Sequence, residues 1–393
     1  MNRAVWLGCV SYFLVGLATV VFGALLPEIL HDYGRTYSSG GQLVFSQFAG
    51  FFIGVTLAPF ASQRLGYQRT ILLAVLSLVI VHSTLLLQPY WYLILLLAAL
   101  NGFAFGMTQT VIGTFLLESS NNGAVMMSRL EVAFGFGALL MPIMSGLLIA
   151  NVSWIWSFAI VIVFAIINLM LWSKKPGSPK SKQTPALHAE ALDQTGKQQF
   201  AILKYAFFIC FVFLYVGIET SLVNFLPSIF VQQYHLDTSA ATVSVTFFWI
   251  AMVVGRIFSG AIAEKFNYNR YLATSTLGVI VFLVGMALVK NTILAFIIVL
   301  MLGLCLSGIF AVVLVYANRV FVGNTKKTTS ILIASGGVGG AVLPLLIGWS
   351  MDYLQATMTI WVIVVCALLM LVFLLTARRY AGRKSIEPHQ LNT

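Results

Sequence analysis

Charge is what this sequence has least of. Only 11 acidic and 22 basic side chains occur among 393 residues, 8% of the chain, where a soluble domain carries about 25%. That excludes an ordinary water-soluble domain. Cysteine is also sparse: Cys9, Cys210, Cys305 and Cys366 lie in apolar runs without paired spacing. They read as small buried hydrophobes, not as a disulfide frame or a thiolate metal site. The five histidines are scattered, so neither a metal nor a cofactor is expected. No G-x-x-x-x-G-K-[ST] loop is present, which excludes P-loop nucleotide hydrolysis. No nucleophile–base constellation points to an enzyme. The first apolar run, MNRAVWLGCVSYFLVGLATVVFGALLPEI, lacks a small-residue cleavage site followed by a soluble domain. It reads as a first membrane span rather than a removable signal peptide.

What is abundant is apolar length. Hydrophobic residues make up 60% of the chain, with 30 Phe and 8 Trp, in runs of about 20 residues, enough to cross a bilayer as helices. Twelve spans are expected, near 5–30, 41–62, 70–89, 92–116, 124–149, 152–173, 204–231, 240–263, 270–289, 292–317, 328–350 and 356–377. With the N-terminus inside, one set of loops holds Arg64, Arg69, Lys174, Lys175, Lys180, Lys182, Lys197, Lys265, Arg270, Arg319, Lys326 and Lys327. The tail adds Arg378, Arg379, Arg383 and Lys384, whereas the opposite loops hold only Arg35 and Lys290. This asymmetry predicts a multi-pass cell-membrane protein with both termini in the cytoplasm. The net charge of +11 is therefore topology, not a nucleic-acid surface.

The segment SKKPGSPKSKQTPALHAEALDQTGKQQF (173–200) is polar and Pro/Ser/Lys-rich and reads as a flexible cytoplasmic linker. It divides the chain into a six-helix bundle over 1–173, a linker over 174–203, a second six-helix bundle over 204–377 and a tail over 378–393. The halves match at an offset near 201. GVTLAPFASQRLGYQR (54–69) aligns with GRIFSGAIAEKFNYNR (255–270), and FLVGLAT (13–19) with LYVGIET (214–220), each of the latter reaching a proline, Pro27 or Pro227. AFGFGALLMP (133–142) aligns with ASGGVGGAVLP (334–344) after one inserted residue. The expected fold is an all-α integral membrane protein of twelve helices in two six-helix repeats. Such repeats build alternating-access transporters with substrate near the midplane. The glycines of 335–344 are expected to let helices approach closely.

Few charges lie inside the spans. Arg129 and Glu131 enter span five, Glu219 is central in span seven, Arg256 lies in span eight, and Glu118 closes span four. Intramembrane ionisable groups face the bundle interior, where they pair or line a pathway. Glu219 reads either as a coupling or ligand group or as a carboxylate locked to Arg256. Tyr215 stands one turn before it, and Pro227 is expected to loosen the helix beyond. A sugar needs amides for its hydroxyls and an aromatic face for its apolar side. The candidates are Gln109, Asn101, Asn224 and Trp249, with Tyr316 and Asn318 behind them.

The loops after spans two and eight resemble the G-x-x-x-D-[RK]-x-G-x-[KR] loop of the major facilitator superfamily. Arg64, Gly66 and Arg69 persist in the first copy, with Gln63 at the acidic position; Gly260, Glu264, Lys265 and Arg270 persist in the second. The family pattern implies that such charges pair across the cytoplasmic helix ends to hold the outward-facing state. YVGIETSLVNFLPS (215–228), FFWIAMVVGRIFSG (247–260) and SRLEVAFGFGALLMP (128–142) resemble the superfamily's fucose/glucose–proton symporter branch. IGTFLLESSNN (112–122) and IASGGVGGAVLPLLIGWSM (333–351) agree. This resemblance implies a twelve-helix, proton-coupled monosaccharide importer, with Glu219, Asn224, Trp249, Arg256 and Glu131 at family positions; a monomer is expected. Two acidic positions of the family fall instead on Gly23 and Gln109. Proton coupling is then expected at Glu219 first and Glu131 second, unless the protein is a facilitator. The alternative is a proton-antiport exporter of drugs or amphipathic metabolites, suggested by the Phe- and Met-rich interior and a span-five glycine–proline pattern.

Overall fold

The computed structural model describes residues 3–119, 123–173, 198–321 and 325–382. Its helices are α1 (Arg3–Ala24), α2 (Leu26–Asp32), α3 (Tyr37–Leu65), α4 (Tyr67–Leu85), α5 (Trp91–Ser119), α6 (Gly123–Asn151) and α7 (Ser157–Ser173) in the first half. The second half holds α8 (Gln198–Tyr234), α9 (Thr238–Phe266), α10 (Tyr268–Leu288), α11 (Thr292–Leu306), α12 (Ile309–Val320), α13 (Thr325–Tyr353) and α14 (Gln355–Gly382). Twelve spans are long and apolar enough to cross a membrane, α11 and α12 together making the tenth. No strand occurs among the described residues. The even number of spans puts Arg3 and Gly382, the first and last described residues, at one face, here the terminal face, opposite the far face. Of the expected linker over 174–203, residues 174–197 lie outside the described residues, and 198–203 are helical instead, because α8 begins at Gln198. The tail lies outside them beyond Gly382.

The repeat extends to backbone conformation. Gly66, between α3 and α4, has φ 80°, and Asn267, 201 positions later between α9 and α10, has φ 79°. Gly34 (φ 57°) and His235 (φ 52°) form a second pair with the same offset. These are left-handed turns that L side chains adopt at a cost. Asn267 offsets part of it by accepting the Asn269 N–H on its own Oδ1 at 3.3 Å. Packing repeats as well. Gly16 of α1 and Gly137 of α6 press against each other's helix backbones, and Gly217 of α8 and Gly339 of α13 do the same. A Cβ at any of the four would collide, as close helix crossing in lipid requires.

The two repeat prolines diverge. Pro27 sits at the start of α2, after the chain breaks at Leu25, where a missing N–H is harmless. Pro227 is contained within a continuous α8, so the expected loosening there is not a break. The second half breaks instead at Ser307–Gly308, between α11 and α12.

The halves do not meet evenly. Near the far face, Gly41 of α3 packs on the backbone of Pro344 and Leu345, and Gly348 of α13 on that of Tyr37. Toward the terminal face, contact thins. From Phe52 to Gly66 only Gly54 and Ala58 are buried, and from Ile257 to Asn267 only Ser259 and Ala263. There Gly54 packs on the Phe103 backbone of its own half, while Phe52 stands beside Gly337 of α13.

Candidate transport site

Arg256 of α9 stands on the seam between the halves. Its Nη1 is 3.3 Å from Glu131 Oε2 on α6, in the first half. Its Nη2 is 3.4 Å from Glu219 Oε1 on α8, in its own half. Arginine suits this position because its planar fork presents separate N–H groups to two acceptors. The contacts are longer than the roughly 2.7–2.9 Å of a tight charge-assisted bond, and Glu131 keeps 39% of its side chain exposed against 15% for Glu219. Two carboxylates share one guanidinium, so the fully ionised cluster carries a net charge of −1 and one proton neutralises it. The two sequence readings of Glu219 thus meet: it does pair with Arg256, but in a cluster with acid to spare.

The same arginine lies 5.6 Å from the Trp249 ring centroid, within cation–π range. Trp249 is also edge-on to Phe134 of α6, with centroids 5.5 Å apart. Its indole N–H is buried with no partner among the described residues. Asn224 donates to the Thr220 carbonyl at 2.8 Å and leaves Oδ1 buried and unpartnered. Buried polar atoms without partners are uncommon, and these two are where a hydroxylated ligand could bond.

Gly23 has a physical explanation. A Cβ there would run into the Asn224 backbone and its Oδ1, so the amide of α8 occupies the space that an acidic side chain on α1 would need. Asn101 is fully buried and donates to the Ala18 carbonyl at 2.9 Å; in this state it ties α5 to α1. Gln109 is half-buried, and its main-chain carbonyl accepts the Tyr12 hydroxyl at 2.9 Å, which leaves the side-chain amide out of this bond. Tyr316 is partly buried, and Asn318 donates to the Thr329 hydroxyl at 2.9 Å near the terminal face. The side chain of Glu118 lies outside the described residues.

Arg64, Arg69, Glu264, Lys265 and Arg270 are exposed, and none joins an ion pair among the described residues. Lys265 lies 5.9 Å from the Phe266 ring. The expected pairing of Glu264 is therefore absent among the described residues. The far face is bonded instead. Asp352 of α13 accepts the Tyr37 N–H and the Ser38 N–H of α3, each at 2.7 Å, and the Ser38 hydroxyl at 2.5 Å. The Ser239 hydroxyl donates to the Gly146 carbonyl at 2.8 Å, and that of Thr242 to Ala24 at 3.0 Å.

Sequence reasoning passed over Asp352 and Gln47. Asp352 sits at a span end, where a carboxylate attracts no notice. Gln47 is fully buried, donates to the Thr19 carbonyl at 2.9 Å and leaves Oε1 without a partner. Its signal was present: a lone amide in VFSQFAGFF. No group of three metal-ligating side chains occurs among the described residues.

Two pseudo-symmetric six-span bundles, bonded together at one face, with ionisable groups on their seam, define a membrane transporter of the alternating-access type. The chain belongs to the Major Facilitator Superfamily, whose profile matches residues 8–321. It is 30% identical over 386 residues to the glucose/mannose transporter GlcP of Bacillus subtilis (strain 168), covering 96% of both chains. Among solved structures, a D-xylose–proton symporter superposes with TM-score 0.76 at 16% identity, covering 95% of this chain and 96% of that one. A nucleoside transporter superposes with TM-score 0.78 at 13% identity, covering 96% and 100%. A fold shared by pentose and nucleoside carriers does not select the substrate.

Proposed function

We propose that this protein is a secondary active transporter that takes up a hexose together with protons by alternating access. The observation that carries the reading is Arg256, held between carboxylates of opposite halves. The relationship to a glucose/mannose transporter along nearly the whole chain supports a hexose as substrate.

Glu219 is the first proton site and Glu131 the second. Moving the halves past one another changes the water around the cluster, and an unbalanced charge in a drying seam is costly. A proton on Glu219 removes that imbalance while Arg256 keeps Glu131. Trp249 offers an aromatic face and an N–H donor, Asn224 an amide acceptor and Gln109 a second amide. Asn101 and Gln47 become available to sugar only if α1 shifts from them.

The basic loops support a cell-membrane location with cytoplasmic termini, so that the bonded far face lies on the outside. On that orientation the structure is inward-facing, and the loop charges Arg64, Arg69, Glu264, Lys265 and Arg270 pair only when the halves rock to the outward-facing state. We assign residues 1–173 and 198–382 as the two bundles, 174–197 as the linker and 383–393 as the tail, since α8 already begins at Gln198 and α14 runs to Gly382. One copy contains both halves and the whole seam, which supports a working monomer.

The test is uptake of labelled glucose and mannose by liposomes under an imposed pH gradient. Accumulation above equilibrium is expected with the unaltered chain. Glu219→Gln should abolish it and flatten its pH dependence while downhill entry remains measurable. Unchanged accumulation by Glu219→Gln would remove the coupling assignment.

A further inference from the structure

The fourth span, α5, runs unbroken from Trp91 to Ser119, whereas its repeat counterpart is divided into α11 and α12 at Ser307–Gly308. The division lies beside the ion cluster. Tyr215 of α8 is fully buried, and its hydroxyl donates at 3.1 Å to the carbonyl of Leu306, the last residue of α11. Its ring stacks on Phe310 in the first turn of α12, with centroids 6.2 Å apart and planes at 21°. From α9, Gly255 approaches Ser307 too closely for a Cβ, and Ser259 packs on Gly308. The Ser259 hydroxyl in turn donates to the Arg256 carbonyl at 3.1 Å.

Tyr215 is one helical turn before Glu219 on the same face, so a turn of the phenol redirects its hydroxyl from Leu306 to that carboxylate. The ionisable groups around Glu219 are Tyr215 on its own helix, Arg256 on α9 and Glu131 on α6, with Tyr271 of α10 behind Tyr215. A phenol has one hydrogen to give; here it goes to Leu306, with the Glu219 carboxylate as the competing acceptor. An ionised carboxylate is the stronger one and draws the hydrogen away from Leu306. Once Glu219 carries a proton, its own O–H can turn to the phenol oxygen, and the phenol hydrogen is left for the Leu306 carbonyl. We propose that Tyr215 is the positioning residue through which a proton on Glu219 sets the angle between α11 and α12. The inference rests on the reading of Glu219 as the proton site.

Three variants in liposomes separate the possibilities: Tyr215→Phe, Glu219→Gln and the double substitution. Tyr215→Phe is expected to lower pH-driven hexose accumulation about tenfold, as loss of a hydrogen bond to a charged group does, and to flatten the pH profile. Exchange of labelled for unlabelled sugar, which needs no net proton movement, should remain measurable and report folding. Adding Tyr215→Phe to Glu219→Gln should change nothing further. If Tyr215→Phe keeps accumulation and pH profile while Glu219→Gln loses them, the role of Tyr215 is overturned and that of Glu219 stands. If Glu219→Gln also keeps them, both are overturned. Should Tyr215→Phe fail to fold, hydrogen exchange of residues 309–320 in the unaltered chain decides. Protection there should change with pH beyond the intrinsic rate, and not in Glu219→Gln; no change in the unaltered chain overturns the proposal.

Discussion

Asp352, in the last turn of α13, caps a helix that belongs to the other half of the molecule: it accepts the backbone N–H of Ser38, in the first turn of α3, at 2.7 Å. The first N–H groups of a helix have no partner within it, and a carboxylate there is also favoured by the helix dipole. Here the cap is supplied across the seam, so it exists only while the far face is closed. Asp352→Ala should therefore favour opening of that face. Spin labels at Leu87 and Leu288, exposed far-face sites of opposite halves, should show an added population at longer distance. An unchanged distribution would mean that the glycine contacts alone hold the face shut.

Arg256 supplies a second prediction, on stability. Arg256→Gln leaves Glu131 and Glu219 facing each other without a cation. For a partly exposed cluster this should cost about 1–3 kcal/mol and lower the thermal midpoint at neutral pH. The loss should shrink as pH falls, because protonating either carboxylate removes the repulsion. Arg256→Gln combined with Glu131→Gln should recover most of the midpoint but not coupled uptake. A midpoint unaffected by Arg256→Gln would show that the long 3.3 and 3.4 Å contacts contribute nothing to the fold.

The two glycines at either end of this seam should behave oppositely. Gly23 is pressed against the Asn224 backbone, whereas a Cβ on Gly260 would meet nothing within 4 Å. Gly23→Ala should destabilise by about 1–3 kcal/mol, the cost of overpacking, and slow transport. Gly260→Ala should leave the midpoint unchanged or raised, since alanine is the better helix former. Gly260→Leu distinguishes an idle position from one that closes: normal stability with slowed turnover would mean that the terminal face shuts against it.

The fold was legible because its causes are local. Span length, loop charge and the 201-residue offset each act over a few turns, and the structure repeats that offset at Gly66 and Asn267 down to their φ values. The close packing of the glycines over 335–344 was legible for the same reason, and Gly339 does press on the α8 backbone at Phe213. What was not legible depends on which residues meet across the seam. Nothing in the sequence around Asp352 points to Ser38, more than 300 positions away. Gly23 looked like a missing acid until the Asn224 side chain was found in its place. The break at Ser307–Gly308 was hidden because no proline marks it, while Pro227, which looked like a hinge, is carried by a continuous α8. The Glu219–Arg256 contact was anticipated; its third member, Glu131, came from the opposite half.

Trp249 gives the sharpest test of the sugar assignment. Its ring has one edge against Phe134 and Arg256 near its face, and its buried N–H lacks a partner. Trp249→Phe keeps an aromatic surface but removes the donor and much of the cation–π attraction. Losing a hydrogen bond of about 0.5–1.5 kcal/mol should raise the KM for hexose about three- to tenfold. The maximal rate should change little, because uniform binding is what is lost. Trp249→Ala would also release Arg256 and should therefore alter the pH profile, which Trp249→Phe should leave near normal. An unchanged KM with Trp249→Phe would place the sugar elsewhere on the seam and leave the indole as packing. A raised KM with Trp249→Phe that is not raised further by Asn224→Ala in the same chain would place both groups on one hydroxyl.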